Sequence, residues 1–385
     1  MIECRTIKEL CSVVVDCPHS TPTWTVEGKI VVRSNNIKNG RIDFSSPSYT
    51  DDEHFQQRIK RATPQGGDII ITREAPMGEV GMIPEGIVCC LGQRMVLLRA
   101  NPEICDNYYL LYSLQSRYVQ HQISWSEGTG TTVSNLRIPH LEQLKIPYLP
   151  LSKQRQVSSV LRCLEGKIEQ NRVINDNLQQ QAKSLYEEMF LNDPDADMVS
   201  GTLSDIATIT MGQSPSGSSY NEESVGEVFY QGRAEFGFRF PTRRLFTTEP
   251  KRMAEPGDVL LSVRAPVGDL NVAYEKCCIG RGLGAIHSKT GDSSFMLYTM
   301  FALKPQLDVF NGEGTVFGSI NRDGLSNLPV NIPSPEEIAK FEAVVRPMDK
   351  LIRTNYEEIC RLQSIRDSLL PKLMSGEIDV SAVQL

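Results

Sequence analysis

The sequence contains two diverged copies of one domain, and this duplication limits the possible folds more than any other feature. The segment GDIIITREAPMGEVG begins at Gly67, and GDVLLSVRAPVGDLN begins 190 residues later at Gly257. Further matches lie on both sides: Cys89-Cys90-Leu91-Gly92 with Cys277-Cys278-Ile279-Gly280, Glu127-Gly128-Thr129 with Glu313-Gly314-Thr315, and TIKELCSVV with TLSDIATIT at Thr202. A period of this length indicates a duplicated domain rather than a solenoid of short repeats.

Each copy ends in a long helical pattern whose apolar residues recur at alternating steps of four and three, as in a coiled-coil seam. The second pattern follows the first by 184 residues, so we expect the two helices to be equivalent and to pair with each other. Each spans about 35 residues, or roughly 50 Å. The predicted seam residues are Leu161, Leu164, Ile168, Asn171, Leu178, Leu185, Val345, Met348, Ile352, Asn355, Ile359, Leu362 and Leu369.

Two asparagines, Asn171 and Asn355, occupy the same seam position in the two helices. A buried asparagine in a coiled coil fixes the register and the choice of partner at some cost in stability. The alternative is that both side chains face solvent.

Prolines mark where the long helices begin, at Pro147 and Pro150 before the first and at Pro333 and Pro335 before the second. We predict an α+β fold: two similar mixed α/β domains, each followed by a long helix, with the helices forming an antiparallel coiled coil of pseudo-two-fold symmetry. The predicted limits are 1–150 for the first domain, 151–191 for its helix, 192–201 for a linker, 202–333 for the second domain, 334–375 for its helix and 376–385 for a C-terminal tail.

Composition excludes several classes of protein. The 385 residues are 40% hydrophobic and 23% charged, which is typical of a globular protein and not of a disordered one. No apolar run approaches the ~20 residues of a membrane span, so we expect a cytoplasmic protein without membrane contact. Ten cysteines without a CxxC pair and five histidines without HxxxH or HExxH spacing favour buried thiols and no metal site.

The net charge of -7 counts against a simple nucleic-acid-binding protein, which usually carries a basic excess. Any DNA contact must therefore come from residues that the fold gathers on one face.

Together these features resemble the specificity (S) subunit of type I restriction-modification enzymes, over essentially the whole chain. The resemblance rests on the order and duplication of individually weak motifs. These are the doubled GD segments with AP-x-G (Ala75 to Gly78, Ala265 to Gly268), CPHSTPTW at Cys17 to Trp24, PLSKQRQV and PSPEEIAKF before the helices, and the KIEQNRVINDNL and LIRTNYEEICRL heptads.

This resemblance implies two target-recognition domains, each reading one half of an asymmetric bipartite target in double-stranded DNA. It implies that the helices set the gap between the half-sites and dock two methyltransferase (M) subunits, with the restriction (R) motor-nuclease subunits joining through the complex. The partners would use S-adenosylmethionine for adenine methylation and ATP with Mg²⁺, so we expect no cofactor and no catalytic residue in this chain.

The motif content agrees with that division. An ATP-binding loop would read GxxxxGK(S/T), and an adenine methyltransferase would need an Asn/Asp-Pro-Pro-aromatic motif for the flipped base; the sequence contains neither.

Candidate DNA-contacting residues are those able to read base edges, mainly Arg, Lys, Asn and Gln, and basic clusters able to contact phosphates. Two equivalent segments of the domains are RSNNIKNGR, which ends at Arg41, and YQGRAEFGFR, which ends at Arg239. They differ in the side chains that could read base edges. The candidates in the first domain are Ser20, Thr21, Trp24, Arg33, Asn35, Asn36, Lys38, Arg58, Lys60, Arg61, Arg73 and Arg94. Those in the second domain are Tyr220, Gln231, Arg233, Arg239, Arg243, Arg244, Arg264 and Arg281.

Other interpretations remain open from the sequence. The candidate segments are also compatible with ordinary polar turns and solvated charged faces. The chain as a whole is compatible with a two-headed protein-interaction scaffold that does not bind DNA sequence-specifically. An enzyme using Asp68 and Asp258 of the GD segments is a third reading, although we expect these carboxylates to support turns.

Overall fold

The structure is a computed structural model that describes residues 3–38, 40–125, 135–192, 198–312 and 318–380. The repeated Glu-Gly-Thr motifs at Glu127 and Glu313, residues 193–197 of the predicted linker and the last five residues of the predicted tail lie outside the described residues. Among the helices described, none has both the length and the apolar character that a membrane span requires.

The first domain combines short strands with short helices. Its elements are β1 (Cys4–Thr6), α1 (Ile7–Leu10), β2 (Cys11–Asp16), β3 (Lys29–Val32), β4 (Ile37–Lys38), β5 (Arg41–Ile42), β6 (Ser48–Thr50), α2 (Asp52–Arg58), β7 (Ile69–Thr72), β8 (Val80–Met82), β9 (Cys89–Leu91), β10 (Met95–Ala100), α3 (Asn107–Gln115), α4 (Arg117–Ser124), α5 (Ile138–Gln143) and β11 (Lys145–Pro147). The long helix α6 (Leu151–Phe190) follows.

The second domain repeats this order. Its elements are β12 (Met198–Thr202), α7 (Leu203–Ile206), β13 (Ala207–Met211), β14 (Tyr220–Asn221), β15 (Glu227–Tyr230), β16 (Phe246–Thr247), β17 (Met253–Ala254), β18 (Val259–Ser262), β19 (Leu270–Val272), β20 (Cys277–Ile279), β21 (Leu283–Ser288), α8 (Ser293–Ala302), α9 (Lys304–Asp308), α10 (Arg322–Ser326) and β22 (Pro329–Pro333). The long helix α11 (Pro335–Met374) follows.

The two domains share one topology. A four-stranded antiparallel sheet has the order β2-β10-β7-β8 in the first domain and β13-β21-β18-β19 in the second. Beside it, β3 pairs in parallel with β9, and β15 pairs in parallel with β20. The predicted α+β class and the duplication are therefore confirmed.

Local sequence explains where the elements begin and end. Thr6 and Thr202 each start their domain with a capping box, closed by Glu9 and Asp205 three residues later. The segment 107–124 forms two helices divided at Ser116, whose extended backbone (φ -65°, ψ 146°) ends α3 and whose side chain caps α4.

Each domain packs a helix against both long helices, and the chain accordingly forms two compact units that cut across these helices. The first unit contains the residues up to Gln170 and those from Glu358 on, and the second contains 171–357. In the first unit, Tyr109 and Tyr112 of α3 pack with Val157 of α6 and Leu373 of α11. In the second unit, Phe295 and Tyr298 of α8 lie in one cluster with residues of both helices, namely Tyr186 and Phe341.

Within each unit the helices run antiparallel. In the first unit, Arg366 donates to Glu165 at 2.5 Å, and Lys167 lies 3.6 Å from Glu358. In the second unit, the rings of Tyr186 and Phe341 are 5.7 Å apart. All thirteen predicted seam residues are buried or half-buried.

The seam asparagines are buried rather than solvent-facing. Asn355 donates its side-chain N–H to Asn175 Oδ1 at 2.8 Å, and Asn175 donates to the carbonyl of Ile352 at 3.4 Å. The partner of Asn355 is therefore an asparagine one seam position beyond Asn171. Because this pair is satisfied only in one alignment, it favours a single register of the helices in the second unit.

The paired cysteines and the GD aspartates are structural. Burial raises the pKa of the Cys89 and Cys277 thiols to about 12, which keeps them protonated. Asp68 accepts two hydrogen bonds of 2.7 Å from Arg99, and Asp258 accepts from His287 Nδ1 at 2.6 Å. Each aspartate also accepts a backbone N–H of its own turn, from Gln65 and Glu255 respectively, which fits the expected turn role.

The Asn175–Asn355 pair predicts a non-additive mutant cycle. Asn355→Leu should lower the free energy of unfolding by about 1–3 kcal/mol, because it leaves the buried amide of Asn175 without this partner. The double variant Asn175→Leu, Asn355→Leu should recover most of that loss, since it removes both polar groups from the seam. Urea unfolding of the three proteins measures this, and additive losses would contradict the pairing.

Candidate nucleic-acid interface

The parallel strand pair places two loops at the same edge of each domain. In the first domain Val32 is paired with Leu91, so the residues after β3 and after β9 leave the sheet side by side. In the second domain Tyr230 is paired with Ile279, and the residues after β15 and β20 do the same. The backbone N–H of the next glycine ties the two loops together, from Gly92 to the Val32 carbonyl (2.7 Å) and from Gly280 to the Tyr230 carbonyl (2.8 Å).

A third loop joins this edge, after β2 in the first domain and after β13 in the second. In the first domain Gln93 donates to the carbonyl of His19 (2.5 Å) and to Thr21 Oγ1 (3.2 Å). In the second domain Ser214 accepts from the Arg281 backbone at 3.3 Å and from the Gln231 side chain at 3.0 Å. We call the three loops together the recognition edge: residues 18–24, 33–38 and 92–94 in the first domain, and 212–216, 231–235 and 280–282 in the second.

The recognition edge exposes different side chains in the two domains. In the first, Trp24 is 46% exposed and the Arg33 guanidinium lies 5.2 Å from the centre of its ring. The other exposed candidates of this edge are Ser20, Thr21, Asn35, Lys38 and Arg94. In the second, they are Gln231, Arg233 and Arg281, with Arg264 exposed on the turn after β18.

Three predicted DNA contacts are corrected, because the side chains are buried and engaged. Arg58 donates to the carbonyls of Leu91, Ser20, Pro18 and Gly92, at 2.7–3.2 Å. It therefore holds the recognition edge together from inside rather than contacting phosphate. Burial lowers the pKa of its guanidinium.

Arg73 and Arg239 are likewise structural. Arg73 donates from Nη1 to both carboxylate oxygens of Asp16 (3.0 and 3.1 Å) and from Nε to the carbonyl of Leu136. Arg239 is only 4% exposed and pairs with Asp349 of α11 at 2.8 Å.

Several other candidates are ion-paired or half-buried. Arg94, Arg233, Arg243 and Arg244 are exposed and pair with Glu74, Asp269, Glu275 and Glu235, respectively. Asn36 accepts the backbone N–H of Arg33 and shapes its turn, whereas Tyr220 packs on Phe229. Lys60 and Arg61 are exposed just beyond α2, and Arg61 donates to the carbonyl of Asp16 at 3.3 Å.

Sequence reasoning missed Gln93. Aligning Cys-Cys-Leu-Gly-Gln with Cys-Cys-Ile-Gly-Arg places Gln93 opposite Arg281, and the equivalent glycine hydrogen bonds support this alignment. The repeat therefore contains the signal: the residue directly after the glycine is Gln93 in the first domain and Arg281 in the second.

The buried and exposed arginines should respond differently to the same substitution. Arg58→Gln should lower the free energy of unfolding by about 3 kcal/mol, because several buried carbonyls lose a charged donor. Arg33→Gln, at the exposed edge, should change it by no more than about 0.5 kcal/mol. Urea unfolding measures both, and equal losses would contradict the distinction.

Known proteins resemble this chain in sequence and in fold. The sequence matches the family described as "Type I restriction modification DNA specificity domain" twice, over residues 4–180 and 196–361. It is 30% identical to the putative type I restriction enzyme MjaX specificity subunit of Methanocaldococcus jannaschii, over 98% of this chain and 94% of that protein. It is 23% identical to the MjaIX specificity subunit of the same organism, over 82% and 78% of the two chains.

A solved structure supports the fold alone. The crystal structure of a type I restriction-modification system S subunit from M. genitalium aligns with a TM-score of 0.60 and 18% identity, covering 97% of this chain and 96% of that one. The two matches to one domain family and the full-length relative show that this chain belongs to the type I restriction-modification specificity subunits.

Proposed function

We propose that this chain selects the DNA target of a type I restriction-modification complex, each recognition edge reading one half of an asymmetric two-part sequence. The observation that carries this proposal is the duplication of the edge: the same strand ends build it twice, with different exposed side chains. Arg and Lys match the major-groove edge of guanine, and Asn and Gln match adenine. Edges that differ as Arg33 and Gln231 do therefore suit different half-sites.

The long helices supply a spacer for this reading. Each helix has 40 residues and is therefore about 60 Å long. DNA presents an equivalent groove about every 34–36 Å, so each helix is longer than one turn of DNA. Two readers held at a fixed separation would then require a fixed gap between their half-sites.

Catalysis in this proposal belongs to the partner subunits. Two M subunits bind the chain and methylate adenine from S-adenosylmethionine, and the R subunits use ATP with Mg²⁺. The chain itself contributes no catalytic residue, cofactor site or metal site. The names of its relatives as specificity subunits support this division.

The assignment of one edge to one half-site predicts separable changes of sequence preference. In the assembled complex, Arg33→Gln should weaken discrimination by about 1–3 kcal/mol at one base pair of a single half-site, because a bidentate base contact is lost. Gln231→Ala should do the same in the other half-site only. The complex is used to methylate a library of duplexes with randomised half-sites, and the methylated duplexes are then sequenced. This measures the base preference in each half-site.

A matched control is Lys8→Gln, since Lys8 is exposed, pairs with Glu142 and lies outside the recognition edge. It should leave both half-sites unchanged. If one edge variant altered both half-sites, the assignment would be wrong.

The spacer predicts that gap length follows helix length. One heptad inserted after Gln170 and another after Glu357 keeps the seam pattern and lengthens the coiled coil by about 10 Å. The preferred gap should grow by about three base pairs, with both half-site sequences retained. The same library measures the preferred gap. A heptad inserted in one helix alone serves as the mismatched control. An unchanged gap in a folded double insertion would contradict the proposal that the helices act as a spacer.

A further inference from the structure

In each domain, the loop that leaves the recognition edge ends in an arginine that contacts the long helix. Arg41 lies eight residues after Arg33 and pairs with Glu165 at 3.1 Å and with Glu169, both on α6. Arg239 lies eight residues after Gln231 and pairs with Asp349 on α11 at 2.8 Å. Each arginine thus joins a recognition domain to the helix that follows it in the chain.

The helix partners occupy equivalent positions. Glu165 and Asp349 are 184 residues apart, the offset of the two heptad patterns, and each directly follows a seam residue, Leu164 or Met348. Arg41 lies one residue further along its loop than Arg239 does. Met82 and Val272 are equivalent strand residues, but Met82 N–H donates to the carbonyl of Gly40, the residue before Arg41, whereas Val272 N–H donates to the carbonyl of Arg239 itself. The two domains therefore make the same contact from neighbouring loop positions.

A buried tyrosine lies beside each pair. In the second unit, Tyr298 Oη accepts from Arg239 at 3.1 Å and donates to Asp349 at 3.1 Å. In the first unit, Tyr112 lines the same cleft as Arg41 and Glu165. Burial raises the pKa of both phenols, so each keeps the O–H that can donate and accept.

The connection from recognition edge to arginine is short and internally bonded. Each loop opens with a 3₁₀ turn, Ser34–Asn36 or Arg233–Glu235. Its return is held by a backbone hydrogen bond seven residues apart, from Asp43 to Asn36 (2.7 Å) or from Thr242 to Glu235 (2.8 Å). Because the loop is closed in this way, its exposed residues should move together with its arginine.

We propose that these two contacts, Arg41 with Glu165 and Glu169 and Arg239 with Asp349 and Tyr298, are positioning elements that make the complex selective for gap length. We call them the helix clamps. The proposal rests on the proposed function, since it concerns how firmly each edge is held on the spacer. A planar guanidinium bonded to carboxylates fixes orientation as well as distance, whereas a lysine ammonium would supply charge without that geometry. The clamp residues act through the loop and do not touch DNA.

A positioning role and a merely stabilising role differ in one measurable ratio. Loss of folded protein lowers methylation equally at every gap and leaves the ratio between gaps unchanged. A loosened edge reaches half-sites at the wrong spacing more easily, so the ratio of methylation at the native gap to that at neighbouring gaps falls.

The test uses the complex with its M subunits and duplexes that carry both half-sites at the native gap and at gaps one base pair shorter and longer. Arg41→Gln should lower the native-to-neighbour ratio of methylation rates about two- to fivefold, the range expected when a half-exposed ion pair is lost. Arg41→Lys should restore less than the full ratio, because the fork geometry is missing.

Arg5→Gln is a matched control, because Arg5 has a similar side-chain exposure (34%, against 37% for Arg41) and pairs with Glu3 of its own domain. It should keep the wild-type ratio. If Arg41→Gln does not fold, Glu169→Gln removes one of the two carboxylates and should change the ratio in the same direction.

The outcomes separate the two proposals. A wild-type complex that methylates no two-part target contradicts the proposed function. A wild-type complex with a defined gap, together with clamp variants whose ratio equals that of the wild type, overturns the clamp proposal alone.

Discussion

The antiparallel packing of the two long helices is the constraint on which the rest of the structure depends. In each unit the seam is part of the apolar core of the recognition domain: Val157 and Leu373 pack with Tyr109 in the first, and Tyr186 and Phe341 pack with Phe295 in the second. The helices α3 and α8 thus each pack against both long helices. This is why the compact units cut across α6 and α11 instead of following the order domain, helix, domain, helix.

Within each unit the long helices pack against the domain, and the parallel strand pair positions the side chains of the recognition edge. Because β3 with β9, and β15 with β20, end at the same edge, short loops from distant parts of the sequence lie together on each domain. Arg58 bonds four carbonyls of this edge from inside the first domain. Such a scaffold can keep its geometry while the exposed side chains of its loops change, since a rigid framework holds the loops in place.

The sequence predicted the features that depend on periodicity and repetition. The duplication followed from the repeated GD segments, and the two equivalent long helices followed from heptad steps at a 184-residue offset, because burial imposes such periodic patterns directly. The expectation of buried thiols is correct for the two cysteine pairs, which lie in the core, but wrong for Cys163 on α6 and Cys360 on α11, which are exposed.

Individual site residues were harder to predict, because residue type does not reveal burial. Arg58, Arg73 and Arg239 were predicted to contact DNA. Arg58 and Arg73 instead bond carbonyls or a carboxylate inside their domain, and Arg239 pairs with Asp349 of α11. Asn355 bonds to Asn175, a partner that the 184-residue offset does not indicate, since an antiparallel pair opposes different positions from those that align by sequence offset. The break at Ser116 depends on a serine that caps the next helix, a feature with no signature in the apolar pattern.

The central claim is that two similar domains of one chain read the two halves of one DNA target. The most direct test is a genome-wide map of methylated adenines in the host, with the gene for this chain intact and deleted. The account predicts that deletion removes methylation from one asymmetric motif of two parts separated by a fixed gap, and that the gene supplied in trans restores it. Identical maps, or loss of a single uninterrupted motif, would contradict the account.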